Sequence, residues 1–377
     1  MIHVLHILPT LNICGGIENF VMNYYRHINR ADVQFDFLVH KLDKENFKAE
    51  VEASGNRVYV FPEFTMKNLP CILRQLKHFY QNHNDYEIIH CHMANAALFH
   101  FCYASSDVIK ILHSHQPAGA DKLSHKLRNY PLLKVANYMA DVRLAGSLES
   151  GRFLFGDKVF LVVPNAIDKD LFLQARSYRS VMREQLNFKK KFVLGHIGRF
   201  APVKNHQFLL AIIERLSVVV PEAVLCVIGD GETKTDFERQ VQIRGLEDNV
   251  IILDTCRDVH KYYSAFDVFL LPSLYEGFGL VAIEAQYAGV PVLASAGRVP
   301  YEAKVSNFLH YVPLENGPAD WVNKIIELRQ QQACLQLSTD RYDIKMQAEN
   351  LRQCYTELIN KYANKGYTFN KRDYTMF

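Results

Sequence analysis

Two glutamates, Glu276 and Glu284, stand eight residues apart in the segment DVFLLPSLYEGFGLVAIEAQYAGVPVLAS at 267–295. The apolar run reads as a buried strand ending near Pro272, then a loop, then a helix starting near Gly279 or Leu280. That places Glu276 in the loop and Glu284 one turn into the helix. A carboxylate in such a place can accept hydrogen bonds from sugar hydroxyls, and Gly277 and Gly279 leave backbone N–H groups free for an anion. Glu284 could serve only the helix dipole. Its neighbours Val281, Ala282, Ile283 and Ala285 weigh against that, because a carboxylate in an apolar setting is rarely there for solubility alone. Two cations, Arg199 and Lys204, follow another strand pattern and precede a helix in VLGHIGRFAPVKNHQFLLAI at 193–212. Together they can chelate a diphosphate; taken singly, each could be an ordinary solvated loop charge. Gly15 and Gly16 carry the loop after the first strand into a helix, either to let backbone approach a ligand or to make a tight turn. A further turn, GDGE, lies at 229–232. The three-glycine dinucleotide fingerprint is absent, which argues against an NAD enzyme.

The elements that must position these residues alternate between short β-branched or aromatic runs and longer helical patterns, the signature of a parallel sheet covered on both faces. Strands are expected at 2–8, 34–40, 58–62, 87–92, 108–115 and 141–146, with helices at 16–29, 68–81, 94–104 and 125–139. A polar stretch from Asp168 to Lys191 reads as a linker. The alternation then restarts, with strands at 192–198, 223–228, 250–253, 267–272, 291–295 and 309–312 and helices at 205–218, 232–244, 258–265, 280–288 and 318–331. A last helical pattern covers 341–362, and the tail from Tyr367 has no clear periodicity. Two doubly wound α/β domains facing a central cleft are the economical reading, with ligands beyond the carboxyl ends of the strands.

Composition narrows the function classes. A chain of 377 residues suits two domains. Its 43 basic and 40 acidic side chains give a net charge of +3, which does not call for nucleic acid as a partner. The eight cysteines are scattered at 14, 71, 91, 102, 226, 256, 334 and 354, without zinc or redox spacing, and read as buried free thiols in a reducing compartment. His3 and His6 interrupt the first apolar run, so no signal peptide is expected. The longest uncharged stretch, Ile88 to Ser106, holds three histidines and does not suit a membrane span.

The segment EGFGLVAIE resembles the paired-glutamate motif of the retaining nucleotide-sugar glycosyltransferases of family 4, which have the GT-B fold of two Rossmann-like domains. Companion segments fall in matching order: CGGIE at 14–18, HSHQ at 113–116, PNAID at 164–168, GRFAPVKN at 198–205, RDV at 257–259 and AGVPVLAS at 288–295. The likeness extends to about residue 331 and is closest to enzymes of bacterial capsule and exopolysaccharide assembly. It implies that Glu284 binds the donor ribose and that Glu276 faces the donor sugar. Gly277, Phe278, Gly279 and Leu280 would contact sugar and phosphate, and Arg257, Asp258 and Val259 would lie near the base. Arg199 and Lys204 would neutralise the departing diphosphate, which Gly15 and Gly16 would approach from the other side. His115 would touch the sugar near the reacting carbon. His113 is its rival, the two being expected to point to opposite faces of one strand end; His115 is preferred because it is nearer the loop. The family often has an acidic residue after Ser295, where this chain has Ala296.

The same resemblance implies a domain spanning 1–168, joined by a C-terminal helix at about 345–377, and a donor domain at 169–344. No carboxylate cluster has metal spacing, so no metal or other cofactor is expected, only a UDP- or GDP-sugar as substrate. No residue declares itself a covalent nucleophile. The acceptor would be a glycan or a lipid-linked sugar, and the location cytoplasmic. Peripheral contact with the inner face of the membrane could come from LSHKLRNYPLLKVANYM at 123–139 or KNLPCILRQLKHFYQNH at 67–83, although both also suit helices packed on their own sheet. Two competing readings are a nucleotide-sugar epimerase of the same architecture and a non-catalytic, transferase-like partner subunit.

Overall fold

The computed structural model describes residues 1–13, 16–115, 123–256, 258–331 and 334–363, without the side chains of 123–129 and 363. It divides into two compact units, one from Met1 to Ala166 together with the described C-terminal segment from Tyr342, the other from Ile167 to Arg341.

The first unit is built on seven parallel strands: β1 (Ile2–Leu8), β2 (Val33–Val39), β3 (Val58–Val60), β4 (Ile88–Cys91), β5 (Ile109–Ser114), β6 (Val142–Ala145) and β7 (Leu161–Val162). They are ordered β3-β2-β1-β4-β5-β6-β7, with the reversal between β1 and β4 that is typical of a doubly wound sheet. Alternate residues feed two cores. Val4, Phe35, Ile88, Ile111, Val142 and Leu144 face one side, covered by the helices Gly16–His27 and Ile344–Ala363. Leu5, Ile7, Ile89, Cys91 and Leu112 face the other, where Phe79, Phe101 and Ala136 of three further helices pack.

The second unit has six strands: β8 (Phe192–Ile197), β9 (Ala223–Ile228), β10 (Val250–Leu253), β11 (Val268–Leu271), β12 (Val292–Ser295) and β13 (Leu309–Val312), ordered β10-β9-β8-β11-β12-β13. Leu194, Leu225, Val268 and Leu293 on one face meet Leu209, Ile213, Trp321 and Ile325 of the helices His206–Val219 and Gly317–Gln330. The order reverses between β8 and β11; the loops that follow these two strands carry Arg199, Lys204 and Glu276, and the helix Leu280–Tyr287 carries Glu284.

Some sequence expectations need correction. The stretch 168–191 is not a linker but helical: Lys169–Leu173, a 3-10 turn Gln174–Tyr178, and Arg179–Gln185. Its polar composition is that of a solvated helical segment that buries only a few apolar side chains, Phe172, Ala175, Met182 and Phe188, and leaves Leu171, Leu173 and Val181 exposed. Arg179 and Arg183 fasten it to Asp267 at 2.5 and 3.1 Å, and Asp267 also accepts from the Val193 N–H at 2.7 Å. Two short helices, Lys48–Ala53 and Leu148–Phe155, went unread. Nor are all cysteines buried, since Cys71, Cys102 and Cys334 are exposed. Among the described residues, no helix is long and apolar enough to cross a membrane.

Candidate active site

The cations and glutamates are positioned by two loops that lean on each other. After β8 the chain pairs with the turn after β9, through Gly198 N–H to Ile228 O and Phe200 N–H to Asp230 O, at 3.0 and 2.9 Å. This approach requires glycine opposite: a Cβ at Gly229 would lie 2.0 Å from the Gly198 carbonyl oxygen, and one at Gly231 would lie 2.4 Å from that of Phe200. A 3-10 turn, Pro202–Lys204, then presents Lys204. The loop after β11 is tied to it by Leu274 N–H to Val203 O at 2.8 Å and by the Asn205 side chain to Pro272 O at 3.1 Å.

The outcome is a compact cluster. Lys204 Nζ lies 2.6 Å from Glu276 Oε1, and Ser273 Oγ donates to the same oxygen at 2.8 Å. The Glu276 side chain is 8% exposed and that of Lys204 20%, so both charges are largely withdrawn from water and depend on each other. One Lys204 N–H serves Glu276, and an ammonium has two more. Arg199 is not drawn into this cluster. It is exposed and paired with Glu232 at 3.0 Å, a solvent-screened surface contact that an arriving phosphate can displace.

Gly279 caps the helix Leu280–Tyr287 with φ +78°, a left-handed turn that favours glycine. Glu284 sits on this helix, half-buried, and accepts a hydrogen bond on Oε2 from the Tyr263 hydroxyl at 2.7 Å. Burial pushes its carboxyl up to about 7, with the tyrosine bond pulling the other way. Gly277 is exposed, and Phe278 and Leu280 are half-buried around the helix start. A Cβ would meet nothing within 4 Å at Gly277 or at Gly16, where the first unit's helix Gly16–His27 begins. Asp258 is ion-paired with Lys261 at 2.7 Å, and Val259 opens a short helix. Gly15 and Arg257 lie outside the described residues.

In the first unit, His115 lies just past β5. It is one of five histidines on the face covered by the helices Gly16–His27 and Ile344–Ala363. His6 and His90 are register neighbours on β1 and β4, His113 is on β5, and His92 follows β4. The expectation that His113 and His115 point to opposite faces is wrong. Residues two apart on a strand share a face, and these rings stack 4.1 Å apart at 16°. His6, His90, His92 and His113 are buried, and His115 is half-buried, with Phe20 set edge-on against it at 4.9 Å. Burial lowers all five pKa values, those of His6 and His115 to about 3.

Two trios, His6–His90–His92 and His92–His113–His115, bring ring nitrogens within 4.8 Å of one another, close enough to suggest a metal. Their orientation does not suit one. His92 Nε2 faces His6 Nδ1 at 3.0 Å, His92 Nδ1 faces His115 Nε2 at 2.7 Å, and His90 Nε2 faces His113 Nδ1 at 2.9 Å. These facing nitrogens are engaged with one another, and a metal would have to break those contacts to use them.

Sequence reasoning missed Ser273, Tyr263, Glu232 and His92. Tyr263 and Glu232 become partners only through strand order, for which the sequence carries no local signal; Ser273 lies just three residues before Glu276, within local reach. The histidines did carry one, in the alternation of His90 with His92 and of His113 with His115.

Both sheets thus have doubly wound, Rossmann-like topology, and chains of known structure share it in the GT-B arrangement. The Anabaena protein Alr3699/HepE, crystallised with UDP, matches with a TM-score of 0.68 at 21% identity, covering 97% of this chain and 99% of that one. In sequence, residues 179–345 match the family described as glycosyl transferases group 1. The glycosyltransferase EpsF of Bacillus subtilis (strain 168) is 31% identical over 78% of this chain and 78% of its own. An Escherichia coli UDP-Gal:alpha-D-GlcNAc-diphosphoundecaprenol alpha-1,3-galactosyltransferase is also 31% identical, over 36% of each chain. The chain belongs to the group 1 glycosyltransferase family.

Proposed function

We propose that this protein is a retaining, family 4 glycosyltransferase. It would move a sugar from a UDP- or GDP-sugar to a glycan or lipid-linked acceptor in capsular, exopolysaccharide or other cell-surface polysaccharide synthesis, at the cytoplasmic side of the membrane. The observation that carries this reading is the buried Lys204–Glu276 pair braced by Ser273, next to the glycine-capped helix that bears Glu284. Glu276 would orient the sugar with the oxygen that Lys204 and Ser273 leave uncommitted. Lys204 would turn its two remaining N–H bonds to the diphosphate, joined by Arg199 released from Glu232. Glu284 would accept from ribose hydroxyls. Gly16 and Gly277 support a ligand at these loops, because neither packing nor a positive φ requires glycine at either place.

In the step proposed, the bond between the sugar's anomeric carbon and the diphosphate breaks. The acceptor oxygen bonds to the same face of that carbon, and the acceptor's proton passes to the departing phosphate oxygen. Lys204, Arg199 and helix N-termini can offset the leaving charge without a metal. His115 would contact the sugar. The UDP of the Anabaena structure and the UDP-Gal and undecaprenol-linked acceptor in the Escherichia coli enzyme's name support these substrate classes. Peripheral membrane contact is part of the proposal, with exposed Tyr130, Val135 and Tyr138 on the helix Leu123–Met139 as one candidate surface.

Thermal-shift screening with UDP-, GDP- and ADP-sugars should find a stabilising donor. Lys204→Ala and Glu284→Ala should each abolish most of that shift. Unchanged binding in both variants would place the donor elsewhere, and epimerised donor formed without acceptor would overturn the transferase reading. An α-linked donor should give an α-linked product by NMR; a β-linkage would exclude retention.

A further inference from the structure

Among the described residues the five histidines form two hydrogen-bonded rows. One runs His6–His92–His115 and the other Tyr355–His90–His113, with Tyr355 Oη 2.7 Å from His90 Nδ1. Each row ends on a buried nitrogen without a partner, His6 Nε2 and His113 Nε2 respectively. A nearby histidine pair behaves differently. His40 Nδ1–H donates to Pro62 O at 3.0 Å, His40 Nε2 meets His100 Nε2 at 3.3 Å, and His100 Nδ1 accepts from Tyr80 at 3.0 Å, so every ring nitrogen is used. That trio is self-contained. The His6–His92–His115 row instead opens at one end, on the half-buried residue assigned to the donor sugar.

The direction of the row follows from counting protons. A buried, neutral imidazole carries one N–H and one lone pair. Two lone pairs cannot face each other at 3.0 Å, so only two arrangements are consistent. If His115 donates to His92 and His92 to His6, a bare N–H is stranded at His6 Nε2. If His6 donates to His92 and His92 to His115, the stranded group is a lone pair. A buried N–H without an acceptor is the costlier and rarer orphan, and the second arrangement avoids it.

We infer that His92 is a positioning residue: its Nδ1–H donates to His115 Nε2 and fixes His115 as the tautomer protonated on Nδ1, so that His115 offers the site a hydrogen-bond donor and not a base. The donor nitrogen lies by Gly146, where a Cβ would sit 3.8 Å from Nδ1. Burial, which holds both end rings of this row far below their usual pKa, keeps this state over the physiological range. The inference rests on the assignment of His115 to the sugar. It agrees with a reaction in which the departing phosphate, and not a histidine, takes the acceptor's proton.

The test is ring-nitrogen NMR of the full chain labelled with 15N-histidine, with the His115 signals identified by their loss in His115→Gln. The expected spectrum shows a proton on Nδ1 of His115 and none on Nε2. His92→Asn keeps a donor at the place of Nδ1 and should preserve both this tautomer and kcat. His92→Phe removes the donor; His115 should then become a mixture of tautomers, with kcat lower by about threefold to tenfold, the worth of one hydrogen bond, and the donor KM little changed. Protonation of His115 on Nε2 in the wild type would overturn the inference. So would His92→Asn behaving like His92→Phe, or a stoichiometric metal retained by the wild type and lost with His92. If His115→Ala turns over normally while the spectrum is as expected, the sugar assignment fails and the tautomer lock stands.

Discussion

At the scale of single residues, the site puts charge where burial opposes it, and Glu284 shows the consequence. Its carboxyl is pushed up to about 7 from an ordinary value of 4.5, chiefly by burial. The folded chain therefore holds this proton more tightly than the unfolded chain. The protonated group's contribution to stability is complete below about 4.5 and is lost as pH rises through about 7. Glu284→Gln, which stays neutral and can still accept from Tyr263, should raise the melting temperature of the ligand-free protein at pH 8, with the gain vanishing near pH 4. Donor binding should run the other way. The ribose-binding form is the carboxylate, so donor affinity should weaken as pH falls below about 7 in the wild type, and the glutamine variant should be weak throughout. Calorimetric titration across pH reads both; a flat wild-type profile would show that Glu284 does not bind in its charged form. Stability given up for a charged ligand contact is the usual bargain at functional sites.

At the scale of elements, the strands that carry the site were legible because a parallel sheet buried on both faces needs apolar runs, and VLGHI and VFLL supply them. The glutamate helix was legible from its glycines and its apolar flanks. The helices between 168 and 191 were not, because a helix lying on the surface with few buried side chains has the composition of a linker. What holds it is long-range: Asp267 is 74 positions from Val193 and more than 80 from Arg179 and Arg183, and no local pattern announces such a node. Tyr263 was invisible for the same reason, its partner Glu284 lying 21 positions away. Asp267 gathers two guanidinium groups and a backbone N–H just before β11, the strand that leads into the Glu276 loop. Asp267→Asn should cost about 2 kcal/mol in urea unfolding, less than a fully buried pair because Arg179 is partly exposed. Donor affinity should fall with it through the displaced loop. A variant as stable as the wild type would mean that the two arginines hold the segment through the carbonyls of Ser264, Ala265 and Phe266 alone.

At the scale of the whole molecule, chain order and fold order part company at the C-terminus. The helix Ile344–Ala363 follows the second unit in sequence but belongs to the first. It buries Ile344, Ala348, Leu351, Cys354, Tyr355 and Leu358 against the β1–β5 face, and Tyr355 reaches the histidine rows. Burial of six such side chains is worth on the order of 10 kcal/mol, comparable with the whole net stability of a domain. Among the described residues, the second unit's core around Trp321 includes no side chain from this helix. A chain cut after Arg341 should therefore lose the fold of its first unit and keep that of its second. Scanning calorimetry of the truncated chain should retain an unfolding transition that a UDP- or GDP-sugar raises, while the first unit's transition disappears and sugar transfer is lost. Limited proteolysis should then leave a core close to 167–341. Loss of the ligand-responsive transition on truncation would mean that donor binding needs the first unit. Survival of both transitions would mean that the six buried side chains are dispensable.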